Sequence, residues 1–142
     1  MKKKMRSILV MLLICLLYVP VNVLAAENSV RATNRYQENV AVASALTAYG
    51  GEVEFTGSNL MVSAKMSNIT NTPSSLTVVL QKKGLFNIWN DTNNKVTIPI
   101  STNVQDVFYG IKISPNTPYR FKYILNGGAG SYVEVSLGAS SY

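Results

Sequence analysis

Ile113-Ser114-Pro115-Asn116-Thr117-Pro118-Tyr119-Arg120-Phe121-Lys122-Tyr123-Ile124-Leu125-Asn126-Gly127-Gly128-Ala129-Gly130-Ser131-Tyr132-Val133-Glu134-Val135-Ser136-Leu137 is the stretch on which the fold turns. Tyr119, Phe121, Tyr123 and Leu125 alternate with Arg120, Lys122 and Ile124, and a second alternating run covers 131–137. Period-two alternation means a strand with one apolar face. The Asn-Gly pair between the two runs predicts a hairpin.

Upstream, the same pattern recurs in short pieces. Val53 and Phe55 share one face, then Leu60, Val62, Ala64 and Met66, then Leu76, Val78 and Leu80, with Thr77, Val79 and Gln81 opposite. Val96, Ile98 and Ile100 form a further inward face, and Pro99 on the other side argues for an edge strand or a strand end. Val107, Tyr109, Ile111 and Ile113 make one more. Residues 40–49 are ambiguous: the alanines suit a helix and the alternation suits a strand, with Gly50-Gly51 as a following turn favouring the strand. Residues 68–75 and 90–94 read as polar loops. Short strands at regular spacing predict an all-β fold, an antiparallel two-sheet immunoglobulin-like sandwich of about eight strands, with a barrel as the lesser alternative.

Ahead of this lies a segment of a different kind. Lys2, Lys3, Lys4 and Arg6 precede a short apolar run over 8–19, ended by Pro20 and followed by small residues at Ala25 and Ala26. That is the layout of a secretory signal peptide over 1–26, too short in its apolar part to span a bilayer comfortably. Cys15 lies inside the apolar run after a bulky Ile14, unlike the small residue that precedes a lipidated cysteine. Residues 27–38 read as a polar N-terminal segment, and 39–142 as one sandwich domain. Of 13 basic residues, four belong to the leader, so nine face seven acids and the mature net charge falls from +6 to about +2. The basic balance therefore does not imply a nucleic-acid partner. With no later apolar run of spanning length, the mature chain is expected to be secreted and extracellular, with no membrane partner.

Two resemblances follow from particular residues. Ile113, Pro115, Thr117, Tyr119, Phe121 and Tyr123 resemble the entry to the sixth strand of a fibronectin type III module, where the tyrosine makes a corner contact with nearby backbone. Over about 25 residues this supports an immunoglobulin-like sandwich; the module's early core tryptophan has no counterpart here. More broadly, Arg35-Tyr36, the alternation over 40–46, Gly51 to Gly57, Leu76 to Lys83 with its Leu80-Gln81-Lys82 end, Trp89 and Tyr119-Arg120-Phe121-Lys122 fall in the order seen in, and so resemble, a family of small secreted proteins of Gram-positive bacteria. That family's Gly-x-Trp is here Phe86-Asn87-Ile88-Trp89, and the histidine of its last hairpin is absent. The resemblance implies a location and a fold, not a reaction.

The residue inventory excludes much chemistry. The chain has no histidine, and its one cysteine lies in the leader. Ser-His and Cys-His catalysis and His/Cys zinc sites are therefore excluded in their usual forms. Glu52 and Glu54 sit two apart on one strand face, with Cα atoms about 6.5–7 Å apart. A solvated strand face explains them better than a retaining glycosidase pair, which needs its carboxyl groups about 5–5.5 Å apart in a cleft. Gly127-Gly128-Ala129-Gly130 lacks the Lys-Ser/Thr of a phosphate loop. No catalytic residue, cofactor or metal ligand is expected.

The candidate ligand or partner surface is Trp89, Arg120 and Lys122. Trp89 suits a stacking platform or a protein hot spot, while its apolar neighbours Leu85, Phe86 and Ile88 favour a core position. Arg120 and Lys122 share the outward face of their strand. Met61, Val79 and Phe108 fall on nominally outward faces, which are either covered or form an apolar patch. The expectation is a non-enzymatic extracellular or cell-surface interaction module for an unknown protein or glycan. The alternatives are a carbohydrate-binding module, which needs an exposed Trp89 or a row of exposed tyrosines, and a structural envelope-associated protein. No oligomeric state is implied.

Overall fold

The computed structural model describes residues 32–142. The signal peptide read over 1–26, with its Cys15, and residues 27–31 lie outside them. Nine strands run in chain order: β1 (Arg35–Ala43), β2 (Thr47–Tyr49), β3 (Val53–Glu54), β4 (Asn59–Thr70), β5 (Ser75–Lys83), β6 (Trp89–Pro99), β7 (Gln105–Lys112), β8 (Pro118–Asn126) and β9 (Tyr132–Ser141). They form two sheets, β1-β9-β4-β7 and β2-β8-β5-β6, with β3 paired to the start of β8 and every strand pair antiparallel. The expected all-β two-sheet sandwich is present.

Its strand order differs from the immunoglobulin-like one, in which the last two strands pair with each other. Here β8 pairs with β5 and β2, while β9 pairs with β1 and β4 in the opposite sheet. Most successive strands change sheets, which is the order of a jelly roll. The hairpin expected over 113–137 is therefore an arch. The reason is geometric: alternation fixes which side of a strand is apolar, and two facing strands across a sandwich satisfy it as well as two neighbours in one sheet. Phe121, Tyr123 and Leu125 of β8 and Val133, Val135 and Leu137 of β9 are all buried in the same core.

The core is filled by the residues whose alternation marked them, including Leu60, Val62, Ala64, Met66, Leu76, Val78 and Leu80. Four boundaries move. The first strand starts at Arg35, so 35–38 belong to the sandwich rather than to a polar segment. Residues 40–49 hold the end of β1, a turn and β2, with the chain passing from one sheet to the other. Residues 90–94, polar in composition, lie within β6, which is an edge strand, as Pro99 suggested. The loop read over 68–75 starts later, because β4 continues to Thr70.

In β7 the alternation breaks. The β4–β7 register shifts twice, between Asp106 and Phe108 and between Phe108 and Ile111, where Gly110 has φ +63°, so β7 takes up two extra residues. Phe108 turns into the core and Tyr109, expected inside, is 75% exposed. Val79 is buried too, but on the outer face of the second sheet, in register with Lys122 and Lys95. The Tyr119 hydroxyl accepts a hydrogen bond from the Ser114 N–H at 2.9 Å, the corner contact expected at that position.

A polar cluster ties the sheets together from within. The Glu38 carboxylate of β1 accepts from the Tyr123 hydroxyl of β8, from the Tyr36 hydroxyl at 2.7 Å and from the Gly51 N–H at 3.0 Å. Burial, and then the neighbouring carboxylate, push both tyrosines well above the ordinary value.

Candidate binding face on the second sheet

The outer face of β2-β8-β5-β6 carries all three residues singled out from the sequence. Arg120 and Lys122 point outward because Phe121 and Tyr123 point inward. In register, Gln81 lies opposite Arg120 on one side and Asp91 on the other, and Lys83 lies opposite Trp89. These cross-strand neighbours are close enough to bond directly.

The Arg120 Nε–H donates to Gln81 Oε1 at 2.7 Å, and Gln81 Nε2 donates to Asp91 Oδ1 at 2.6 Å. The Lys122 ammonium donates to Asp91 Oδ2 at 2.7 Å. Hydrogen bonds from Lys122 and then Gln81 hold the Asp91 carboxyl below the ordinary carboxylate value, so it stays ionised. The Arg120 guanidinium carbon lies 4.2 Å from the Tyr49 ring centroid and 4.5 Å from that of Trp89. The charge is therefore held between two aromatic rings. Lys83 approaches Trp89 at 5.6 Å and pairs with Glu52 at 2.9 Å.

Trp89 is half-buried on this outer face, not in the core. Its apolar neighbours misled: Leu85, Phe86 and Ile88 are themselves 84%, 91% and 57% exposed. Tyr49 was missed. It sits in the three-residue strand β2, whose place beside β8 has no local signal. Glu52 and Glu54 do not act as a pair, since Glu52 is engaged by Lys83. Among the described residues no three acidic, histidine or cysteine side chains gather.

The arrangement suits anion recognition. Only Nε of Arg120 is bonded to protein among the described residues, which leaves both terminal nitrogens with donors to give. A guanidinium held flat in this way takes a carboxylate, sulfate or phosphate through two parallel bonds. A groove of about 590 Å³ on the other sheet is lined by Arg35, Gln37, Met61, Ser63, Asp106 and Gly138 among others, and none of the aromatic–cation group reaches it.

No family model and no curated protein matches this chain. Among solved structures it is similar to a chain described under "Bacillus endospore appendages form a novel family of disulfide-linked pili", at 10% identity over 79% of this chain and 96% of that one, with a TM-score of 0.37. It is also similar to a family two carbohydrate esterase from Cellvibrio japonicus, at 13% identity over 74% of this chain and 34% of that one, with a TM-score of 0.32. Neither likeness is high enough to carry a functional argument.

Proposed function

We propose that this is a secreted, non-enzymatic interaction module that binds an acidic segment of a protein partner outside the cell through Tyr49, Arg120 and Trp89. The single observation that carries the reading is the Arg120 guanidinium held between two aromatic rings by Gln81, with its terminal donors unengaged among the described residues. Trp, Tyr and Arg are the residues that dominate protein interfaces, and here their side chains are ordered before any partner arrives. The carbohydrate-binding alternative is weaker on this face, because the Trp89 ring that would stack on a sugar already carries Arg120.

Trp89 is the only tryptophan, so its emission reports this face alone. The mature chain is titrated with poly-L-glutamate and, separately, with a neutral chito-oligosaccharide. The expected result is a saturable change in emission with the polyanion that Arg120→Ala abolishes, and none with the sugar. A polyanion response unchanged in R120A, or a response to the neutral sugar alone, overturns the reading.

A further inference from the structure

The segment joining β5 to β6 is built against its own stability. The chain reverses at Phe86 and Asn87, both at positive φ (59° and 60°), with the Ile88 N–H bonded to the Leu85 carbonyl at 3.3 Å. Such a turn favours Asn or Gly at its first central position, because a bulky side chain is strained there. Phe86 occupies it and is 91% exposed, with Leu85 84% and Ile88 57% exposed beside it. Neither the backbone nor the core gains from a phenylalanine at this point. Asn would relieve the strain and remove the exposed apolar surface together.

The surroundings say what the tip meets. Trp89 stands at its base, at the first residue of β6. A groove of about 370 Å³ is lined by Lys82, in β5 ahead of the turn, and by Lys112. Neither lysine pairs with an acid among the described residues; Lys82 bonds only to the Ser114 hydroxyl, at 3.3 Å. Apolar side chains at the apex, a tryptophan behind them and unpaired cations farther back follow the order of depth in a lipid leaflet: hydrocarbon, interface, headgroup.

We infer that the 84–88 tip is a membrane-contact element that inserts Leu85, Phe86 and Ile88 into an anionic bilayer, with Lys82 and Lys112 facing the phosphates. This departs from the expectation of no membrane partner, which rested on the lack of a spanning run; interfacial insertion needs none. It shares Trp89 with the Arg120 clamp but otherwise uses different residues, so F86N and R120A test the two separately.

The test is co-sedimentation of the mature chain with phosphatidylglycerol vesicles and with phosphatidylcholine vesicles, repeated for Phe86→Asn and Lys112→Ser. Binding to the anionic vesicles is expected to be about tenfold stronger than to the neutral ones, and F86N to lose about tenfold or more of it. K112S is expected to lose a smaller share, and brominated acyl chains to quench Trp89. F86N should remain folded, because Asn suits the turn. Absence of binding to phosphatidylglycerol, equal binding by F86N, or binding without bromolipid quenching overturns the inference.

Discussion

Two loops of this sandwich invert what their compositions suggest. The segment after β8, Asn126-Gly127-Gly128-Ala129-Gly130, has hairpin chemistry and makes an arch between sheets. The segment after β5, Leu85-Phe86-Asn87-Ile88, is apolar and makes the tight hairpin. The difference lies in what each loop is tied to. The arch is bonded to two other loops: Ser44 Oγ donates to the Gly128 carbonyl at 2.8 Å, Asn71 Nδ2 to the Gly130 carbonyl at 2.9 Å, and buried Ser131 Oγ to the Asn71 carbonyl at 3.1 Å. Among the described residues the 85–88 turn closes only on itself and its own strands. Glycine permits a turn, but tertiary bonds decide which strand follows.

The largest effect is expected where the arch depends on the sheets being held face to face. Glu38→Ala removes the acceptor shared by Tyr123, Tyr36 and Gly51, and leaves the buried Tyr123 hydroxyl without a partner. A loss of about 3 kcal/mol is expected, read as a lower urea midpoint. The same tie sets an alkaline limit. Both tyrosines ionise far less readily in the folded chain than at the ordinary value of 10.0. Their contribution is therefore complete below pH 10 and is lost as pH rises beyond it, where the unfolded chain ionises first. Urea midpoints measured from pH 8 to 11 should fall steeply at the top, and Tyr123→Phe should flatten that fall. A profile no different in Y123F breaks the picture of a cross-sheet tie.

Within the arch, Gly127 is the tight point. A Cβ there would lie 2.7 Å from Ser131 Oγ and 3.0 Å from Pro73 Cα. Gly127→Ala is expected to lose about 2 kcal/mol by overpacking, visible as a lower thermal midpoint. Gly128 has nothing within 4 Å of such an atom, so Gly128→Ala is the matched control and should be close to neutral. Equal loss in both would mean that the loop behaves as a free hairpin turn rather than a clamped arch.

These contrasts also mark how far the sequence could be read. Alternation reports the face of each residue, because burial acts on side chains, and the cores of β4, β5, β8 and β9 were legible for that reason. It is silent on the neighbour of each strand, and so the hairpin over 113–137 and the immunoglobulin-like order were natural readings that the jelly roll replaces. Two inserted residues in β7, one between Asp106 and Phe108 and one between Phe108 and Ile111, were enough to reverse Phe108 and Tyr109. Arg120 and Lys122 were legible as an outward pair, but the clamp was not. Its other wall, Tyr49, lies 71 positions away in sequence, in a three-residue strand, and meets Arg120 only because β2 and β8 are neighbours. The polar run over 90–94 looked like loop because an edge strand faces water, and water tolerates the same asparagines that turns prefer.

The smallest effect is the one with the opposite sign. Phe86→Asn places in the 85–88 turn the residue that its geometry favours, where a phenylalanine is held at φ 59° with almost its whole side chain in water. No packing is lost, since Phe86 is 91% exposed. A gain of about 1 kcal/mol is expected, a rise of roughly 4 °C in the thermal midpoint by differential scanning calorimetry. Asn126→Ala at the arch is the informative partner. Its side chain bonds the Ser75 hydroxyl at 2.9 Å and the Thr77 hydroxyl at 3.2 Å, so it should lower the midpoint although asparagine there looks like an ordinary turn residue. Opposite signs at these two asparagine-related changes follow only if tertiary bonds dominate one loop and local geometry the other. A fall on F86N would mean that Phe86 packs against something in the folded chain, and would remove the strain argument from the tip.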